Sequence, residues 1–160
     1  MQIPLLSFFT GGGFLDIGFE LAGFEIALTN EIKPAFADMY ASGIASWRAS
    51  RKIRSPGSKE VTARVSIEEL QAPEVLEMVF SGGKPGIFGI VGGSPCPDFS
   101  VAGKNEGVDG ERGKLTQVFV DLICAIRPTF FVMENVPGLY RQKKHKPYLE
   151  RILAQFGEGA

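Results

Sequence analysis

The chain has 160 residues, with 17 Lys and Arg against 18 Asp and Glu and a net charge of −1. Its 44% hydrophobic and 22% charged content is ordinary for one globular domain and argues against wholesale disorder. A near-neutral charge excludes nucleic-acid binding through bulk positive charge, so any such binding needs a local patch.

In chain order, residues 3–9 are an apolar run ending at Thr10-Gly11-Gly12-Gly13, which predicts a buried strand entering a tight turn. Residues 14–22 carry helical spacing and stop at Gly23, and residues 24–29 form a second strand. Pro34 opens a helix expected to run to about residue 42 and stop at Gly43, and residues 47–58 read as a loop. A short strand is expected within residues 60–65, a helix start at Ser66-Ile67-Glu68-Glu69, and a helix over residues 73–80. Residues 86–91 predict a strand, followed by a Gly-, Pro- and Ser-rich loop over residues 92–113. Leu115, Val118, Phe119, Leu122, Ile123 and Ile126 fall on one helical face ending at Arg127-Pro128. Residues 129–133 predict a buried strand, Pro137-Gly138 a turn, and residues 148–156 a last helix. Alternating strands and helices predict an α/β domain with a mostly parallel sheet, whose ligands bind beyond the carboxyl ends of the strands. No apolar run reaches membrane-spanning length, no basic leader precedes the first strand, and two cysteines, Cys96 and Cys124, suit a reducing compartment.

Two basic runs could contact phosphates, or could be solvated faces: Arg48, Arg51, Lys52, Arg54 and Lys59, and then Arg141, Lys143, Lys144, His145 and Lys146. The glycine turn also has two readings. It could be a structural turn with a solvated acid nearby, or a nucleotide-type turn with Glu31, twenty residues after Gly11, accepting from ribose hydroxyls. The dinucleotide pattern G-x-G-x-x-G fails, since Asp16 stands in its third place and bulky Phe14 follows the glycines. Turn and acid together favour an adenosine-containing ligand.

Gly92-Gly93-Ser94-Pro95-Cys96-Pro97-Asp98-Phe99-Ser100 is the most informative stretch. Cys96 lies between two prolines on a loop, outside any apolar periodicity, which fits a thiol held for a ligand. Cys124 instead falls within a helical apolar pattern and reads as core. No second Cys or His stands at ligand spacing from Cys96, so no metal is expected, and the only histidine, His145, lies in a basic run. Glu134 closes the strand of residues 130–133, where a partly desolvated carboxyl would have a raised pKa; the alternative is a glutamate that caps a helix or meets solvent. A thiolate and a carboxyl opening into one cleft suit attack on a ring that resists nucleophiles, such as cytosine extruded from duplex DNA.

Several stretches, in order, resemble the motifs of the DNA cytosine-5 methyltransferase family. Phe9-Thr10-Gly11-Gly12-Gly13-Phe14-Leu15-Asp16-Ile17-Gly18-Phe19 is similar to its cofactor turn, and Asn30-Glu31 to its ribose-binding acid. Pro95-Cys96 with Phe99-Ser100 resembles its nucleophile loop, Arg112-Gly113-Lys114-Leu115 the start of its next helix, and Glu134-Asn135-Val136 its Glu-Asn-Val. The resemblance implies a Rossmann-like methyltransferase fold over residues 1–160, incomplete because the later motifs and the target-recognition region have no counterpart. It implies Cys96 as nucleophile, with Glu134 and Arg112 beside it. It also implies S-adenosyl-L-methionine as cofactor, with S-adenosyl-L-homocysteine as product. The implied cofactor site holds Phe9, Thr10, Gly11, Gly12, Gly13, Phe14, Leu15, Asn30, Glu31, Ile32, Ser66, Ile67, Gly93, Pro95 and Leu115.

The implied partner is double-stranded DNA with a flipped cytosine, in a restriction–modification setting, in the cytoplasm or nucleoid of a bacterium. A tRNA cytosine-5 methyltransferase, or a non-catalytic cofactor-binding half of a split enzyme that needs a second chain, are the alternatives. The sequence departs from the family at Ser7, where an acid is usual. Phe14 replaces a second glycine, Pro97-Asp98 follows the cysteine, and Ser66 stands where an aspartate usually meets the adenine amino group.

Overall fold

A computed structural model describes residues 2–51, 61–95 and 111–158. Its strands are β1 (Pro4–Phe8), β2 (Glu25–Asn30), β3 (Val61–Ala63), β4 (Gly89–Gly92) and β5 (Phe130–Met133). Its helices are α1 (Phe14–Leu21), α2 (Pro34–Arg51), α3 (Ala72–Phe80), α4 (Glu111–Ile126), α5 (Pro137–Arg141) and α6 (Lys146–Glu158). The described strands form one parallel sheet in the order β3-β2-β1-β4-β5, a Rossmann-like α/β arrangement.

Because β3 leads back across the sheet to β4, the chain changes direction between β1 and β4. Right-handed crossovers then put α1 and α2 on one face and α3 and α4 on the other, and a crevice opens at the switch point. Side-chain alternation along β1 serves both faces. Leu6 and Phe8 pack toward α4, with the Phe8 and Phe119 rings 5.6 Å apart, whereas Leu5 joins Ile26 and Val91 in the second layer. The predicted face of α4 is the buried one: Phe119, Leu122, Ile123 and Ile126 all lie in the main core.

Two elements depart from expectation. Helix α2 does not stop at Gly43 but runs on through Trp47 to Arg51, so the first part of the expected loop is helical and residues 52–60 lie outside the described residues. An internal glycine costs a helix only about 1 kcal/mol. Burial of Ile44 beyond it returns about 1.5–3 kcal/mol, and buried Arg48 pairs with Glu20 of α1, its Nε donating to both carboxylate oxygens at 3.0 and 3.2 Å. A Cβ at Gly43 would meet nothing within 4 Å, so Gly43→Ala is expected to stabilise the protein by about 0.5–1 kcal/mol in urea denaturation.

The second departure is β5. Its residues were expected to be buried, yet it is the last strand of the described sheet, with Phe131 37% and Val132 41% exposed. Among the described residues this apolar strand has one neighbouring strand, β4.

Candidate functional site

β1 is followed by Phe9, whose φ of +56° is unusual for a non-glycine residue and turns the chain sharply out of the sheet. Gly13, at φ +82°, then starts α1, and a Cβ there would lie 2.8 Å from the Tyr40 ring, so glycine is required by conformation and by space. The next helix position leaves Phe14 85% exposed.

Glu31 directly follows β2 and closes over this turn. Its Oε2 accepts from Gly11 N–H at 3.0 Å and its Oε1 from Lys33 N–H at 2.8 Å, the only hydrogen bonds of this carboxylate among the described residues. Each oxygen therefore keeps capacity for a further donor. Asn30 is committed to the scaffold, its amide donating to Ala63 O and Val65 O at 3.0 Å and so joining the ends of β2 and β3.

Between these elements lies a cavity of about 330 Å³, within the range of small-molecule sites. Of the residues expected to hold a cofactor, Phe9, Gly11, Asn30, Glu31, Ile32, Ser66, Ile67, Gly93, Pro95 and Leu115 line it. Thr10, Gly12, Gly13, Phe14 and Leu15 build the adjoining turn and helix start without lining it. Sequence reasoning missed four further lining residues: Lys33, Phe36, Val65 and Glu68. Phe36 was detectable in principle, because it lies on the first turn of the helix that follows the acid.

Sequence reasoning also missed the buried carboxylate behind the turn. Asp16, 1% exposed, accepts from Ser7 Oγ at 2.6 Å and from Tyr40 Oη at 2.8 Å. The helix thus supplies a carboxylate to Ser7 of β1 across space. Ser7, an unexpected hydroxyl on a buried strand, was the available signal.

Cys96 lies outside the described residues, but the chain is described up to Pro95. Ser94 and Thr116, both buried, are hydrogen-bonded through their hydroxyls at 2.8 Å, which ties the segment after β4 to α4. Glu134 N–H donates to Gly92 O at 2.8 Å, and a Cβ on Gly93 would stand 2.5 Å from Glu134 Oε2. Gly93 and Glu134 are therefore in direct apposition at the carboxyl ends of neighbouring strands. The Glu134 side chain is exposed, so the expected desolvation is corrected: β5 lacks an outer neighbour among the described residues. Arg112 is in the first turn of α4, but its side chain lies outside what is described.

The basic runs are only partly surface features. Arg48 is buried against Glu20, and Lys52, Arg54 and Lys59 lie outside the described residues. His145 is buried; that burial, followed by the Lys144 charge, holds its pKa below the usual histidine range. Arg141, Lys143 and Lys144 remain exposed. Cys124 is half-buried beside Val120, Leu139, Tyr148 and Ile152. Among the described residues there is no His, Cys, Asp and Glu group able to hold a metal, and no helix is long and apolar enough to cross a membrane.

The profile of the C-5 cytosine-specific DNA methylase family matches residues 3–159. Type II methyltransferase M.NmeDI of Neisseria meningitidis serogroup C is 47% identical over 161 residues, which cover 96% of this chain and 37% of that protein. Type II methyltransferase M.MthTI of Methanothermobacter thermautotrophicus is 32% identical, covering 98% of this chain and 40% of that one. A crystal structure from E. coli, described as a prophage-encoded DNA modification methyltransferase, superimposes with a TM-score of 0.74 at 25% identity, over 98% of this chain and 38% of its own. The chain thus spans well under half the length of these relatives.

Proposed function

Because the chain belongs to the C-5 cytosine-specific DNA methylase family, we propose that it is the cofactor-binding and nucleophile-bearing part of an enzyme that methylates carbon 5 of cytosine in DNA, in a restriction–modification setting. The observation that carries this reading is the switch-point cavity, bounded by Glu31 on the Gly11 turn and by Gly93-Pro95, with Glu134 apposed to Gly93. The donor set fits S-adenosyl-L-methionine. Glu31 has unused lone pairs for two ribose hydroxyls, and Phe9, Ile32, Phe36, Val65, Ile67 and Leu115 offer apolar walls for a purine. Bound there, S-adenosyl-L-methionine supplies a methyl group activated by a sulfonium.

The rest falls to this chain's residues. Cys96, as thiolate, adds through sulfur to carbon 6 of a flipped cytosine, and the electron pair displaced from the ring double bond makes carbon 5 nucleophilic. Glu134, standing at the end of β5, hydrogen-bonds the cytosine ring edge and favours that addition. Carbon 5 takes the methyl group and then gives its proton to a water base; the C–H electron pair re-forms the ring double bond, and the sulfur leaves carbon 6 with its own pair as thiolate.

The exposed apolar flank of β5, with Phe131 and Val132, supports a sheet completed by further strands, from a longer polypeptide or a second chain. The chain alone is accordingly expected to bind cofactor without turning over DNA.

Calorimetric titration with S-adenosyl-L-homocysteine tests the reading. Saturable binding is expected for the wild type, weakened about 10- to 100-fold by Glu31→Ala, since hydrogen bonds to a charged acceptor are lost. No binding by the folded wild-type chain would overturn the cofactor assignment. Competition between DNA and tRNA as methyl acceptors, in the polypeptide or complex that carries this chain, tests the substrate: DNA should dominate.

A further inference from the structure

After β5 the chain shows a burial period of three. Leu139, His145 and Tyr148 are buried and Gln142 is half-buried, whereas Tyr140, Arg141, Lys143, Lys144 and Lys146 are exposed. The repeat has a local cause: α5 passes into a 3-10 turn over Lys143–His145, and residues three apart eclipse in such a turn. Within it His145 N–H donates to Gln142 O at 3.0 Å. Leu139 and Tyr148 join Val120 and Ile152 in the second core cluster, so the inward face is anchored to α4 and α6 and the outward face is held in position. No Asp or Glu occurs from Asn135 to Leu149, which makes the outward face basic in a chain of net charge −1. Glu150, the first acid beyond it, lies 3.7 Å from Lys146. Arg141, Lys143 and Lys144 precede that pair, and Tyr140, 79% exposed, precedes them.

Topology puts this face at the carboxyl edge of the sheet. α5 starts at Pro137, on the chain leaving the carboxyl end of β5, and α6 then runs back. Phe156, near the end of α6, packs on Phe131 in the first half of β5, with ring centroids 4.3 Å apart. From Glu134 to Arg141 the chain is extended and then helical, a span of at most about 15–20 Å. Phosphates of one strand advance about 3.4 Å along the duplex axis, so that span ends within about five nucleotides of a base held at Glu134. We infer that Arg141, Lys143 and Lys144, with the Tyr140 hydroxyl as a further donor, hold the phosphate backbone of duplex DNA beside the flipped cytosine. This rests on the DNA-substrate reading above. It supplies the local patch that a near-neutral chain needs in order to attract a polyanion. The earlier basic run is not equivalent. α2 leads away from the carboxyl edge, Arg51 stands at its far end, and Arg48 is buried against Glu20.

Fluorescence anisotropy of the chain with a short labelled duplex, measured over a salt series, tests the inference. The logarithm of the association constant should fall linearly with the logarithm of salt concentration. Arg141→Ala, Lys143→Ala and Lys144→Ala should each flatten that slope by about 0.9. The triple variant should flatten it by about 2 to 3, and should weaken duplexes of different sequence by one common factor, because phosphates carry no sequence information. Arg51→Ala, at the other edge of the sheet, should leave the slope unchanged. The replaced side chains are exposed, and a thermal melt of each variant checks that the fold persists. Calorimetric binding of S-adenosyl-L-homocysteine should be the same in all of them. An unchanged slope in the triple variant, an equal change in Arg51→Ala, or no duplex binding by the wild type at the lowest salt would each overturn the assignment. So would preferential binding to vesicles of anionic phospholipid, which would give the patch to a membrane surface. The DNA reading fails separately, in the acceptor competition above, if tRNA dominates there.

Discussion

Replacing Cys96 by alanine is expected to lower methyl transfer to DNA by at least about 10³-fold, the scale on which loss of a covalent nucleophile acts. Carbon 5 of cytosine is too electron-poor to take a methyl group unless a nucleophile has first added at carbon 6. None of the described lining residues carries a thiol, and their carboxylates make poor, readily expelled adducts. Incorporation of labelled methyl groups, measured in the polypeptide or complex that carries this chain, reads the effect directly. DNA containing 5-fluorocytosine gives an independent readout. Fluorine cannot leave as the proton does, so the sulfur–carbon bond should survive denaturing electrophoresis in the wild type and vanish in Cys96→Ala. Cys124 is the internal control. Burial, reinforced by the Asp121 charge, pushes its thiol pKa up, away from the reactive thiolate, and Cys124→Ala should still form the adduct. An adduct that persists in Cys96→Ala would remove the nucleophile assignment.

The largest stability effect is expected at Asp16. Its carboxylate is the acceptor for the Ser7 and Tyr40 hydroxyls, all three groups being buried. Asp16→Ala leaves two buried donors without that acceptor, each at about 1–3 kcal/mol, so a loss of about 2–5 kcal/mol is expected in urea denaturation. Asp16→Asn keeps volume and one acceptor and should cost less. The effects should not be additive: Ser7→Ala or Tyr40→Phe should cost much less in the Asp16→Ala background than in the wild type. Full additivity would show that the three groups do not act as a unit. Tyr40 also lies against Gly13, so the same substitutions should loosen the glycine turn.

Much of this architecture was legible in the residues themselves. Apolar runs ended by glycine or proline located β1, β2 and β4, and the spacing from Leu115 to Ile126 identified the core face of α4. Ten of the fifteen residues expected to hold a cofactor line one cavity, because the turn, the acid and the loop each follow a parallel strand, and parallel strands end at the same edge of the sheet. What escaped detection depended on contacts distant in sequence. Gly43 resembles a helix stop until Ile44 and Arg48 find partners on the far side. Phe131 and Val132 resemble core because hydrophobicity alone does not reveal how many neighbours a strand has. Asp16 looked like a misplaced glycine, since its role depends on Ser7 and Tyr40, nine residues before it and twenty-four after it.

The two backbone N–H groups that grip Glu31 have a kinetic corollary. Gly11 and Lys33 hold the carboxylate from opposite sides before any ligand arrives. The rotameric entropy of that side chain, about 0.5–1.5 kcal/mol when an interface residue is immobilised, is thus lost during folding and not at encounter. Arrival at a pre-aimed acceptor requires no slow rearrangement, so tightness at this end of the cavity should reside in how long the ligand stays, not in how quickly it docks.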